Sequence, residues 1–242
     1  MRFIIGASVA KAAAEGAALI AEWSREAIAE HGRFVVALTG GESPKPLYEA
    51  LRARRDIEWR RWEVFFGDER AVSAQDPRSN LLAAEELLLN RVALNPDRVH
   101  PMYALGMDIE QAALDYDAAL RASAGDPPVL DLVLLGVGRD GHTLSLPPYC
   151  GAISERERMV MALVDPEMDP PVDRITFTPP VVTAARRVLV IAHGRAKAPA
   201  MKAALDDRDD RLKVPAQLIR DATGEVTVLM DEELAKSLGR GG

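Results

Sequence analysis

The sequence predicts an α/β fold: a doubly wound, mainly parallel sheet with helices on both faces. Three observations predict it. Apolar runs of strand length recur along the 242 residues, stretches of helical periodicity separate most of them, and several end directly in glycine-containing turns. In such sheets ligands bind beyond the carboxyl ends of the strands. Chemistry is therefore sought in the residues just past each strand.

Phe3 to Ile5 is a short strand and Ala10 to Ala29 an Ala-rich helix; the opening has a superficial likeness to a secretion signal, but Lys11 and Glu15 interrupt its apolar stretch. Phe34 to Leu38 is apolar throughout, as a strand covered on both faces is, and it runs into Thr39-Gly40-Gly41-Glu42-Ser43-Pro44. Ser43 is placed there as the N-cap and Pro44 as the first residue of a helix to Ala53. A glycine pair feeding a helix start can turn backbone N–H groups toward a phosphate, and equally it can be a plain tight turn. Val64 to Phe66 is the third strand, and after it come Gly67-Asp68-Glu69-Arg70, two acids beside an arginine. That pattern suits an active site as much as a solvated loop.

Helices are predicted over Asn80 to Leu89 and Ile109 to Ala122, and the strand Leu130 to Leu135 then leads into Gly136, Gly138, Asp140 and His142. Glycines let the chain turn sharply, and a carboxylate two residues from a histidine can orient the imidazole and steady its charged form, which suits a general base. Ser145 is placed as a residue that caps or lines this turn. Strands at Arg174 to Phe177, Val188 to Ala192 and Val226 to Met230 and helices at Lys197 to Leu205 and Glu232 to Leu238 complete the pattern. His193, Gly194 and Lys197 come after the strand that ends at Ala192. A lysine at a positive helix end is repelled by about 0.3–1 kcal/mol unless an anion lies between.

Composition narrows the classes. Lys and Arg number 30 against 37 Asp and Glu, a formal charge of −7, and no basic tract stands out, so binding nucleic acid through its phosphates is not expected. One cysteine, Cys150, excludes an internal disulfide framework and fits the cytosol. No stretch approaches the roughly 18 apolar residues of a membrane span. There is no HExxH, no CxxC and no G-x-S-x-G, so neither a bound metal, another cofactor nor a serine hydrolase elbow is expected. His31 and His100 are placed as structural or surface residues. The charge run Asp206 to Lys213 mixes signs as a solvated connection does, and with no linker or repeat, residues 1–242 are expected to form a single domain.

Four ordered segments make the chain resemble the 6-phosphogluconolactonases, within the wider superfamily of sugar-phosphate isomerases and deaminases. ALTGGESPKPLYEAL resembles that family's glycine-rich phosphosugar loop, and VFFGDERAVSAQDPRSNLLAAEELLL its segment with GDER and a downstream SN. DLVLLGVGRDGHTLSL is similar to its signature turn, and RITFTPPVVTAARRVLVIAHGRAKAPAMKAAL to its C-terminal strand, loop and lysine segment. The resemblance spans nearly the whole chain. It implies His142 as the base that activates water, Asp140 close by, and Asp68 as a second acid or orienter. It further implies that Arg70 and Lys197, with Thr39, Gly40, Gly41 and Ser43 of the loop, hold the phosphate of a phosphosugar lactone, with Arg174 a weaker candidate. Two positions depart from the family pattern: Glu42 stands where a small hydroxyl residue is usual, and LPPYCGAI replaces the commoner Leu-Phe-Pro-Gly run. The implied activity is metal-independent hydrolysis of 6-phospho-D-glucono-1,5-lactone. The alternatives are an isomerase or amino-sugar-phosphate deaminase on the same fold, in which Asp68 moves the proton, and a sugar-phosphate sensor without catalysis.

Overall fold

The structure, a computed structural model, describes residues 1–240. In chain order its elements are β1 (Arg2–Gly6), α1 (Val9–His31), β2 (Phe34–Leu38), α2 (Lys45–Arg52), β3 (Trp62–Phe66), β4 (Asp68–Arg70), α3 (Asn80–Leu87) and α4 (Ile109–Ala124). Then come β5 (Leu132–Gly136), β6 (Val160–Leu163), β7 (Arg174–Phe177), α5 (Pro179–Ala184), β8 (Arg187–Ala192), α6 (Ala198–Ala204), β9 (Glu225–Asp231) and α7 (Glu232–Ser237).

Six strands form a wholly parallel sheet in the order β1-β9-β8-β5-β2-β3. Its central strands, β8, β5 and β2, are almost entirely buried, which is why they are apolar without alternation. The long α1 is fixed at its start by the Ser8 hydroxyl, which accepts from the Lys11 amide at 3.3 Å. Trp62 of β3 is fully buried and its indole donates to the Ser24 hydroxyl on α1 at 2.8 Å, so the polar edge of the ring is satisfied inside the core. At the amino end of the sheet the buried Asp131 carboxylate accepts from the Val35 amide at 2.8 Å and lies 3.0 Å from the His31 ring. His100 lies 2.8 Å from Glu63 and stacks on Phe65. Both histidines are structural, as expected. Among the described residues no helix is long and apolar enough to cross a membrane.

A second, antiparallel sheet in the order β4-β7-β6 was not anticipated. The run at Arg174 to Phe177 is a strand, but it belongs to this small sheet rather than to the parallel one. β4 is only Asp-Glu-Arg, with no apolar signal, and β6 is four residues long. α5 also escaped sequence reading, because its PPVVTA has prolines and β-branched residues of low helix propensity; prolines in the first turn, where no N–H is needed, permit it. One residue, Gly67, separates β4 from β3. The Gly67 amide donates to Leu38 of β2 at 2.8 Å, and Phe177 of β7 donates to the Gly67 carbonyl at 2.7 Å, so that one glycine joins the two sheets.

Period-two alternation then sorts β4. Register pairs Asp68 with Thr176 and Arg70 with Arg174, placing these four on one face, while Glu69 and Ile175 point to the other. Glu69 therefore is not an active-site acid. Its carboxylate accepts from the amides of Arg70, Asn80 and Leu81 and from the Ser79 hydroxyl, all within 2.7–3.0 Å, and so closes the N-terminus of α3. Burial pushes its carboxyl above the usual range despite those donors. Glu69→Ala orphans buried donors and should lower stability by about 1–3 kcal/mol or more; urea denaturation with an unchanged midpoint would contradict this role.

Candidate active site

The loops after β2, β5 and β8 and the inner face of β4 and β7 enclose a cleft of about 230 Å³. That volume is at the small end for ligand sites and suits a compact polar molecule. Thr39, Gly40, Gly41, Ser43, Asp68, Arg70, His142, Arg174 and Lys197 all line it. Asp140 does not; it stands behind His142.

The turn after β5 is built around that pair. His142 Nδ1 lies 2.7 Å from Asp140 Oδ1, and the same oxygen accepts from the His142 amide at 3.1 Å. Hydrogen bonding to the carboxylate assigns the proton to Nδ1 and leaves the Nε2 lone pair free. Burial pushes the Asp140 carboxyl up, but the amide, charge and ring of His142 together outweigh it and hold it below its usual range. Gly138 makes room for this arrangement: a Cβ there would meet His142 Nδ1 at 2.1 Å and Asp140 Oδ1 at 2.5 Å.

The glycine loop after β2 is anchored by Tyr48, whose hydroxyl donates to the Thr39 carbonyl at 2.6 Å and accepts from the Thr39 amide at 3.1 Å. Gly40 packs against Asn80, and a Cβ at Gly40 would fall 1.8 Å from Asn80 Oδ1. Ser43 is not the helix cap. α2 starts at Lys45 with Pro44 at its N-cap position and no side-chain capping bond, because proline already fixes the first turn and leaves the Ser43 side chain to the cleft. Glu42, the departure from the family pattern, borders the cleft, and its largely exposed carboxylate pairs with Lys45 at 2.6 Å.

Cations dominate the other wall. Arg70 and Arg174 face each other across β4 and β7, and Asp68, Asp169 and Glu69 offset the burial and like charge at Arg174 only in part. Both have a buried Nε without a protein partner among the described residues. Arg70 also donates to the Arg78 carbonyl, and Arg174 donates to the Pro170 carbonyl at 2.9 Å. Burial, and after it the Arg70 charge, depress the Arg174 guanidinium. Lys197 is the N-cap residue of α6 and donates to the Val137 carbonyl at 2.6 Å. Burial and then Arg139 depress its ammonium, against a smaller opposing pull from Asp140.

Sequence reading missed Asn80, Arg139, Met168 and Asp169, which also line the cleft. Arg139 was legible from its place between Gly138 and Asp140. Asp169 sits in a loop whose sequence carries no motif. His193, one residue past β8, does not line it; burial depresses its imidazole. Among the described residues no three His, Cys, Asp or Glu side chains are grouped to hold a metal ion.

Comparison with known proteins places this geometry. Residues 7–228 match the family described as glucosamine-6-phosphate isomerases/6-phosphogluconolactonase. The chain belongs to that family. A 6-phosphogluconolactonase of Synechocystis is 38% identical over 217 residues, covering 88% of each chain. The one from Mycobacterium tuberculosis is 42% identical over 198 residues, covering 78% of this chain and 79% of its own. Among solved structures, the 6-phosphogluconolactonase of Trypanosoma brucei superposes with a TM-score of 0.86 at 30% identity, over 98% of both chains. A monomeric glucosamine-6-phosphate deaminase reaches a TM-score of 0.84 at 19% identity, a likeness of fold alone.

Because burial disfavours charged Lys197, its ammonium should lose its proton below the usual lysine value of roughly 10.4, and a bound anion should draw the proton back. ¹⁵N NMR of the Lys197 amine with and without inorganic phosphate checks this. A titration at the ordinary lysine value, unmoved by phosphate, would contradict it.

Proposed function

We propose that this protein hydrolyses 6-phospho-D-glucono-1,5-lactone to 6-phosphogluconate, as in the oxidative pentose phosphate route. One observation carries the reading: His142, held through Nδ1 by Asp140, lines a cleft together with Arg70, Arg174, Lys197 and a glycine loop. The names of the similar proteins support the same substrate. The cations and the amides of residues 40–43 hold the phosphate, so binding energy far from the reacting carbon fixes the lactone's orientation.

His142 Nε2 takes a proton from water as the water oxygen bonds to C1. Asp140 steadies the imidazolium that forms. The tetrahedral intermediate then collapses, the bond from C1 to the ring oxygen breaks, and that oxygen receives the proton back from His142. The products are a hydroxyl at C5 and a carboxylic acid, which ionises. Asp140 orients the imidazole rather than touching substrate. The single cysteine fits the cytosol as the setting.

Asp68 in the same cleft is the observation that favours the rival reading, proton transfer between C1 and C2 of a phosphosugar. Purified protein assayed on the lactone, ribose 5-phosphate and glucosamine 6-phosphate separates the two. The lactone alone should be consumed above its spontaneous rate. Removing the general base in His142→Ala should lower kcat by about 10²–10⁴-fold while inorganic phosphate still binds; a near-normal rate would end the proposal. Gly138→Ala should produce a comparable loss in a folded protein, because its Cβ displaces both His142 and Asp140.

A further inference from the structure

Ser145 has no part in the mechanism above, yet its side chain is completely buried and fully engaged. Its hydroxyl donates to Asp68 Oδ2 at 2.7 Å and accepts from Arg174 Nη1 at 3.4 Å. Its amide donates to the Thr176 hydroxyl at 3.2 Å, the residue opposite Asp68 in the β4–β7 register. Ser145 is absent from the cleft wall whereas Asp68 lines it, so the serine cannot reach a bound sugar and acts only through the carboxylate. Asp68 is held by its main chain as well: its carbonyl accepts from the Asn80 side chain at 2.9 Å. Oδ1 of Asp68 has no partner within the described residues and is not closed off from the cleft.

We propose that Ser145 is a positioning residue: polarised by Arg174, its hydroxyl fixes Oδ2 of Asp68 so that Oδ1 accepts a hydrogen bond from a hydroxyl of the bound sugar. The sugar contact rests on the lactonase reading; the positioning of Asp68 does not. Arg174 thereby gains a role besides anion binding, as the donor that commits the Ser145 proton to Asp68, since a hydroxyl has one proton to give. The charged and titratable groups that share the cleft with Asp68 are Glu42, Arg70, Arg139, His142, Asp169, Arg174 and Lys197, and Tyr48 of α2 also feels its charge. Burial, opposed by Thr39 and aided by Asp68, drives the Tyr48 phenol far above its usual range, which leaves that group neutral. Ser145 is thus a neutral donor whose loss changes no charge around the carboxylate.

The test compares wild type, Ser145→Ala, Asp68→Asn and the double variant. A crystal structure of ligand-free Ser145→Ala should show the Asp68 carboxylate turned from its wild-type orientation, because the donor that holds Oδ2 is gone. On the lactone, Ser145→Ala should lose about tenfold or more in kcat/KM, with inhibition by inorganic phosphate unchanged. In the Asp68→Asn background the same substitution should cost nothing further. Ser145→Cys, close in volume with a weaker donor, should fall between wild type and Ser145→Ala and serves if the alanine folds poorly. An Asp68 carboxylate unmoved in Ser145→Ala, or an undiminished loss in the Asp68→Asn background, overturns the proposal. A wild type that leaves the lactone untouched while the carboxylate turns in Ser145→Ala overturns only the functional reading.

Discussion

Two arginines stand directly opposite one another on the short strands β4 and β7, and neither can easily turn away. Arg70 is bonded to the Arg78 carbonyl and Arg174 to the Pro170 carbonyl. Their mutual repulsion, deepened by burial, is a cost that the isolated chain has no acceptor to relieve fully. In the proposed reading a phosphate dianion seated between them converts repulsion into paired charge-assisted hydrogen bonds. In that reading this is what selects the substrate, in a protein whose overall charge is −7 and whose surface would otherwise repel it.

The remaining groups take their places from that wall. The register that sets Arg70 against Arg174 also sets Asp68 against Thr176, and through Ser145 it ties the second sheet to the turn carrying His142. Glu69, on the opposite face, joins β4 to α3, whose first residue Asn80 in turn packs on Gly40 of the glycine loop. The histidine turn, the arginine wall and the glycine loop are thus coupled by hydrogen bonds and packing between elements far apart in sequence. Such coupling is how a site is held to the tolerance that catalysis needs.

Much of this was legible in the amino-acid sequence, and the reasons are physical. β2, β5 and β8 are uninterrupted apolar runs because helices cover both their faces, and each ends in residues whose chemistry has no use in a core: Gly40 and Gly41, Asp140 and His142, Lys197. The second sheet was hidden. β4 is three charged or polar residues whose strand character comes only from pairing with β7, and no local pattern distinguishes Glu69, a helix cap, from Asp68, a cleft acid. Ser43 was given a capping role that Pro44 makes unnecessary. Asp169 reaches the cleft from a loop, where sequence carries least information about direction.

The account stands on the phosphate end of the substrate as much as on the imidazole. Its most direct test is kcat/KM for the 6-phosphorylated lactone against that for glucono-1,5-lactone lacking the phosphate, each corrected for spontaneous opening. Several charge-assisted contacts, each worth about 1.5–3 kcal/mol, predict a preference on the order of 10³-fold or more, expressed partly in kcat. Equal turnover of the two lactones would contradict it.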